Sequence, residues 1–259
     1  MSQHSASTDF DWIANDYLRL RGGNRRITQT VDLLEGHLPK SGIVLDVGSG
    51  PGSIAASLTK VERKVVALDI SQAMIRLAVQ VLPGAVTRAD AQQLPFADKT
   101  FHAAIMAWVT NHVGNAHAAL SEVNRVLQPG GYLLYLSGIP SHPEWDEIGA
   151  LISRLNVLRK GREEWEQSLI SNSQTLGLTP VFQTSHRVSF RQRPITAAQR
   201  IHDRSYGHLR DIDERSWIDV VIPVLDSIAA MSSPNEYRPR QSEYKFVAFR
   251  KNGRLGNDV

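Results

Sequence analysis

Ile43-Val44-Leu45-Asp46-Val47-Gly48-Ser49-Gly50-Pro51-Gly52 is the stretch on which the fold turns. Ile43 to Val47 is a short β-rich run, the glycines make a turn, and Ser53 to Leu58 can open a helix. In such a unit the backbone approaches a ligand closely, and the unpaired N–H groups of the first helical turn point at it. The spacing is Gly-x-Gly-x-Gly, whereas a dinucleotide fingerprint wants Gly-x-Gly-x-x-Gly or Ala. Asp46 also stands just before the glycines, where a carboxylate would repel a pyrophosphate. It suits a ligand carrying an ammonium group, directly or through water. Both details weigh against a nucleotide-dependent oxidoreductase, the first rival reading, and titration with the competing cofactors separates the two.

Outward from this turn, residues 42–137 alternate β-rich runs with helical patterns, the layout of a parallel sheet covered by helices. The expected strands are Ile43 to Val47, Lys64 to Leu68, Ala85 to Arg88, Ala103 to Ala107 and Tyr132 to Ser137. Ser71 caps a helix carrying Met74, Leu77, Ala78 and Val81, and Asn115 caps one carrying Leu120, Val123, Val126 and Leu127. Pro129-Gly130-Gly131 is expected to stop that second helix. Earlier, Phe10 to Leu38 reads as one or two helices broken at Gly22-Gly23.

Later in the chain, Trp145, Ile148, Ile152, Leu155 and Leu158 mark a helix, and Trp165, Leu169 and Leu176 another ending at Gly177. Val181 to Phe190 and Ser242 to Arg250 read as two further strands. The interval between them, roughly fifty residues, is too long for a hairpin loop. Thr196 and Gln199 form a capping box there, and Ile218, Val221, Ile222, Leu225 and Ile228 give a continuous apolar stripe. The expected fold class is therefore α/β: a doubly wound, seven-stranded, mostly parallel sheet whose last strand runs antiparallel, with a helical insertion before it. Residues 1–259 read as a single domain, made of an N-terminal helical cap (1–40), a ligand-binding core (41–138) and an insertion (191–240) expected to be an acceptor lid or a dimer surface.

Composition narrows the classes. Hydrophobic residues make 42% and charged residues 21% of the chain, which excludes a disordered or fibrous protein. There is no cysteine, so disulfides, thiolate nucleophiles and Cys-ligated zinc are excluded, and no metal is expected. The formal charge is +3, with Arg and Lys interleaved among Asp and Glu, a solvated surface rather than a nucleic-acid footprint. No apolar run approaches the roughly 20 residues of a membrane span, and residues 1–9 lack the apolar stretch of a secretory signal, so a cytoplasmic location is expected.

Four ordered segments carry a resemblance: Leu45 to Gly52; Ala67-Leu68-Asp69-Ile70-Ser71; Ala89-Asp90-Ala91-Gln92-Gln93-Leu94-Pro95-Phe96; and Arg125-Val126-Leu127-Gln128-Pro129-Gly130-Gly131. Together they resemble the type-11 class I methyltransferases that use S-adenosylmethionine (SAM) and release S-adenosyl-L-homocysteine, and the likeness covers roughly residues 9–137. It implies a Rossmann-like methyltransferase fold. It also implies that Gly48, Gly50 and Gly52, with Asp46 and Ser49 in the same turn, line the methionine part of SAM. Asp69, with Ile70 after it, would bind the ribose. Asp90 would bond the adenine amino group, with the backbone of Ala91 beside it. Tyr17 and Arg21 match a pair that closes over the cofactor, Arg21 toward the methionine carboxylate, although a solvent-facing charge explains Arg21 equally well. For Asp69 the competing role is the N-terminal charge of the next helix.

After the fourth strand comes Trp108-Val109-Thr110-Asn111-His112, where this fold turns side chains toward the transferring methyl. Trp108 is placed with the cofactor, Asn111 with the substrate, and His112 is the candidate base for a hydroxyl or an acidic carbon. The Pro-Pro-aromatic motif of exocyclic-nitrogen nucleic-acid methyltransferases is absent, which disfavours a nucleobase acceptor. His202 and Tyr206, four apart in the insertion, either line the acceptor pocket or sit at a helix boundary. Arg187, Arg191, Arg193, Arg200 and Arg204 either hold an anionic acceptor or pair with the acidic residues near them. The expected activity is methyl transfer to a small molecule at a hydroxyl or activated carbon, by a monomer or homodimer with no nucleic-acid or membrane partner. N-methylation of a small amine, or a reaction without methyl transfer such as cyclisation, is the alternative.

Overall fold

The computed structural model describes residues 23–159, 169, 171–209 and 212–253. Helix α1 (Gly23–Glu35) leads into β1 (Gly42–Val47), α2 (Ser53–Leu58), β2 (Arg63–Asp69), α3 (Gln72–Val81), β3 (Val86–Arg88) and β4 (Phe101–Ala107). A 3-10 turn (Thr110–His112), α4 (Ala116–Val126) and β5 (Leu127–Gly138) follow. After α5 (Glu147–Ser153) and β6 (Leu178–Gln192) come α6 (Pro194–His202), α7 (Glu214–Ser216), α8 (Ile222–Ala229) and β7 (Arg238–Lys251). The strands form one seven-stranded sheet in the order β3-β2-β1-β4-β5-β7-β6.

The central pairs are parallel: Val44 of β1 lies opposite Val65 on one side and Ala103 on the other, and Ala104 lies opposite Leu133. From β1 the chain steps outward to β2 and β3, then returns to place β4 on the opposite side of β1. That reversal opens a crevice at the carboxyl ends of β1 and β4, where open α/β sheets bind ligands. The last strand runs against its neighbours, as expected. The Asn252 N–H donates to the Gly177 carbonyl at 2.8 Å, while the Phe182 and Phe246 rings meet at a tilt with centroids 6.0 Å apart, so β6 and β7 pass in opposite directions. Likewise the start of β5 meets the end of β7, Lys251 Nζ donating to the Leu127 carbonyl at 2.8 Å, and the Ile139 N–H reaches the Glu243 carbonyl.

By internal contacts the chain divides into two compact units, Met1–Ser137 with Ile170–Gln183 and Phe246–Val259, and Gly138–Leu169 with Thr184–Lys245. In the first, Leu34, Val44, Leu58, Val65, Ile105 and Phe246 are fully or almost fully buried in one cluster. Ser71 and Asn115 cap their helices as expected, accepting the Met74 and Ala118 N–H groups. Arg63 is 1% exposed, and its Nε and Nη2 donate to the Leu58 carbonyl at 2.9 and 2.7 Å. Its Nη1 reaches the Pro39 carbonyl and the Glu35 carboxylate, and that ion pair, more than the nearby Lys60, holds the Glu35 carboxyl below its usual range. One guanidinium thus closes the end of α2 and ties α1 to β2.

Pro129-Gly130-Gly131 lies inside β5 and does not terminate α4, which ends at Val126. The β4–β5 register shifts between Phe101 and Ala103, and Gly130 sits at φ 78°. A proline without an N–H followed by a left-handed glycine produces a bulge in the strand.

The second unit has its own core around Ile148, Leu155, Ile201, Val221, Val224 and Ile228. The helix expected over residues 145–158 is α5 followed by a 3-10 segment (Arg154–Leu158), started by Asp146, whose Oδ1 accepts the Gly149 N–H at 2.6 Å. Asp146 also meets the buried Arg240, Nη1 to Oδ1 at 2.5 Å. The Thr196–Gln199 capping box does not form: α6 begins earlier, at Pro194, because proline's fixed φ and missing N–H suit the first helical position. The apolar stripe is also interrupted. Trp217–Val221 is a π turn running into Ile222-Pro223, so Val221, Val224 and Ile228 are fully buried while Ile218 is 52% exposed. Pro223 cannot donate to the preceding turn, and the wider turn absorbs the misfit.

Replacing Arg63 with Ala strands the Leu58 and Pro39 carbonyls and leaves Glu35 without its main partner. It is expected to lower unfolding free energy by about 2–4 kcal/mol. Urea unfolding measures this, and a loss below about 1 kcal/mol would show that water replaces the guanidinium at little cost.

Candidate active site

Four loops at the carboxyl ends of β1 to β4 enclose a pocket in the first unit, lined by residues that include Gly48, Gly50, Asp69, Ile70, Asp90, Ala91, Trp108 and His112. These residues come from segments far apart in sequence, and the strand reversal brings them together.

The turn after β1 takes a shape few residues but glycine adopt. Gly48, Gly50 and Gly52 sit at φ 69°, 55° and 77°. A Cβ at Gly48 would meet Val109 Cγ2 at 2.2 Å, so the turn and the segment after β4 touch only because position 48 has no side chain. Asp69, 9% exposed, anchors the turn: Oδ2 accepts the Gly50 N–H at 2.8 Å, and Oδ1 accepts the Ser71 N–H at 2.9 Å. The Ser49 N–H adds a bond to the Leu68 carbonyl at 2.9 Å. One carboxylate therefore joins the glycine turn to the start of α3. An anion with two oxygens keeps accepting capacity beyond these two bonds, so bracing the turn and meeting a diol are compatible uses.

Asp46 is 2% exposed, and its Oδ2 has no hydrogen-bond partner among the described residues. Burial, and then the neighbouring Asp69 charge, push its carboxyl up to about 7. A buried carboxylate is costly unless a cation or donor meets it. The cleft that begins two residues later is accordingly suited to a cationic ligand and hostile to an anionic one.

On the opposite wall, Trp108, the residue after β4, sits at φ 57°, a left-handed conformation that costs a bulky residue about 1–3 kcal/mol. Its N–H still bonds the Leu136 carbonyl at 2.9 Å, and the kink turns the chain into the Thr110–His112 turn. Behind that turn, Thr110 Oγ1 and Tyr135 Oη lie 3.3 Å apart, both buried. The His112 N–H donates to the Val109 carbonyl at 2.8 Å. The loop after β3 is held by Arg125, which donates to the Leu94 and Phe96 carbonyls at 3.0 and 2.8 Å and pairs with Glu122 and Asp98. Glu122 in turn accepts the Leu94 N–H at 2.7 Å.

Tyr17 and Arg21 lie outside the described residues, as does the side chain of Asn111. His202 is the last residue of α6 and Tyr206 lies beyond it, so the two do not share a helical face. His202 is exposed beside Asp203, and Tyr206 packs under Arg200 at 5.1 Å. Both belong to the second unit, whereas the pocket lining described above belongs to the first. Gln92, Val109, Val113 and Gly114 also line the pocket and were not singled out from sequence. The available signal is position: Gln92 and Val109 lie inside two of the quoted segments, and Val113 and Gly114 follow His112.

Residues 45–135 match the family model for the methyltransferase domain. A ubiquinone/menaquinone biosynthesis C-methyltransferase, UbiE, of Neisseria meningitidis is 33% identical over 141 residues, covering 51% of this chain and 56% of that protein. This chain thus spans about half the length of the curated relatives it matches. Among solved structures, the 4+2 cyclase SpnF superimposes with a TM-score of 0.59 at 16% identity, covering 95% of each chain. A phosphoethanolamine N-methyltransferase of Haemonchus contortus, in complex with phosphomonomethylethanolamine and S-adenosylhomocysteine, gives a TM-score of 0.56 at 16% identity, covering 97% of this chain and 61% of that one. At such identities the structures speak for the fold alone. The sequence match, the strand order and the glycine turn agree: residues 45–135 are similar to the methyltransferase domain, and they lie on the strands and turn that build the pocket.

Proposed function

We propose that the protein transfers the methyl group of SAM to a small-molecule acceptor, at a hydroxyl or an activated carbon. The observation that carries this reading is the buried, unpartnered Asp46 oxygen beside a glycine cradle, a site whose electrostatics ask for a cation. SAM carries a sulfonium and an ammonium group, so the residues present fit it. Gly48, Gly50 and Asp46 would hold its methionine part, Asp69 its ribose hydroxyls and Asp90 its adenine amino group. The similarity to a curated C-methyltransferase supports the choice of reaction.

When bound, SAM supplies a sulfonium, an intrinsically good leaving group, so the protein's task is alignment and exclusion of water. Trp108 and Val109 supply apolar cover at the β4 end, and the Gly48–Val109 contact sets their distance from the glycine turn. His112, three residues further on and in the same lining, takes the acceptor proton when the acceptor is a hydroxyl or acidic carbon. The helical insertion, residues 191–240, is assigned to acceptor choice, and the protein acts on small molecules without nucleic acid. Among the described residues no helix is long and apolar enough to cross a membrane.

The reaction is tested by incubating candidate acceptors with SAM and reading product mass. A methyl-sized gain is expected, and turnover with the acceptor's mass unchanged contradicts the assignment in favour of a cyclisation-type reaction. In the same assay His112→Ala should lower turnover about 10²-fold or more with SAM affinity nearly constant. A loss under tenfold would leave orientation as the whole mechanism.

Asp46 makes a pH-dependent prediction. Its folded pKa, about 7, lies above the ordinary value of 3.8, so its favourable contribution is full at low pH and is lost as pH rises between these values. Ligand-free Asp46→Asn should therefore gain stability relative to wild type as pH rises from about 4 to about 7. A cationic ligand returns the carboxyl to its ionised form, so SAM binding near pH 6.5 should release protons that Asp46→Asn does not release. Calorimetry in buffers of differing ionisation enthalpy reads this, and equal proton release from both proteins would remove Asp46 from the binding site.

A further inference from the structure

Asp90 does not point into the pocket unaided. Its Oδ1 accepts the Gln92 backbone N–H at 2.9 Å, and the Gln92 side-chain Nε2 donates to both carboxylate oxygens at 3.1 Å. At its other end the same amide accepts: Gln92 Oε1 takes the Asn115 N–H at 2.8 Å. Asn115 is the cap of α4, its Oδ1 accepting the Ala118 N–H at 3.0 Å. It directly follows His112, Val113 and Gly114, which line the pocket, as Gln92 itself does.

The chemistry allows little substitution here. A carboxylate demands a donor and a backbone N–H demands an acceptor, so the bridging side chain needs both at its tip, and a primary amide on a two-carbon stem supplies them. Glutamate would set a second carboxylate against Asp90, and leucine would fill the volume with no bonds at all. The two ends of the bridge also fix which way the amide faces.

We propose that Gln92 is a positioning residue for nucleoside recognition. It holds the Asp90 carboxylate in the orientation that selects a purine bearing a 6-amino group. It also yokes that carboxylate to the 112–114 wall, so that the nucleoside end of the pocket and the acceptor side are built together. This rests on the reading of the pocket as a SAM site. Gln92 acts through Asp90 and Asn115 and not on the reacting atoms.

The test compares binding of S-adenosylhomocysteine with binding of S-inosylhomocysteine, which carries an oxygen in place of the amino group, by calorimetry on wild type and Gln92→Leu. Wild type should prefer the adenosyl compound by about 10- to 100-fold, the range of one hydrogen bond to a charged group. In Gln92→Leu the two affinities should come within about threefold. If both affinities fall together with the preference intact, Gln92 only supports the wall and the proposal is overturned. Equal binding of both compounds by wild type overturns it while leaving the SAM reading in place, and binding of neither overturns both. Should the variant fail to fold, amide exchange in the wild type decides. The Asn115 N–H should be protected to the degree of the α4 amides, and exchange at open-loop rates overturns the bridge.

Discussion

The carboxylate of Asp69 is the bond on which the site depends. It accepts one N–H from the glycine turn after β1 and one from the start of α3, so the two loops share one anchor. Hydrogen bonds to a charged acceptor are roughly twice as strong as neutral ones, and here they are buried. The turn is thereby held in the left-handed shape that brings Gly48 against Val109, and this contact defines one wall of the cleft. Asp46 is buried beside that charge with no hydrogen-bond partner for its Oδ2 among the described residues, and burial first, then Asp69, pushes it toward its neutral form. The electrostatic demand for a cation thus comes mainly from the burial of Asp46, and the charge that braces the turn adds to it.

Much of the first unit was legible because its signals are local. Strand β1 is an apolar run ending at glycines, and the caps at Ser71 and Asn115 follow from side chains that reach only three residues ahead. The strand ends were less legible. β5 begins at Leu127, through Pro129-Gly130-Gly131, because a bulge accommodates residues that on local grounds stop a helix and start nothing. In the second unit the apolar stripe was real, but Pro223 inserts a π turn and rotates Ile218 and Ile222 out of register with Val224 and Ile228. Pro194 likewise moved the start of α6 ahead of its expected capping box.

The bridging side chains that sequence does not reveal act at long range. Gln92 meets Asn115, Arg63 meets Glu35, and Arg240 meets Asp146, each across at least 23 positions. A polar residue inside a motif gives no local sign of which distant backbone it will bond. The arginine at the head of β2 is a similar case: nothing in its neighbours marks it as 1% exposed, because its burial comes from carbonyls left unpaired at the end of α2. Periodicity locates cores and caps, but bridges between loops emerge only from the assembled sheet.

The central claim is that the cleft selects a cationic nucleoside and rejects a pyrophosphate. Calorimetric titration of the purified protein with SAM and, separately, with NADH tests it most directly. The account predicts saturable binding of SAM and none of NADH at comparable concentrations. Saturable binding of NADH with none of SAM would contradict it.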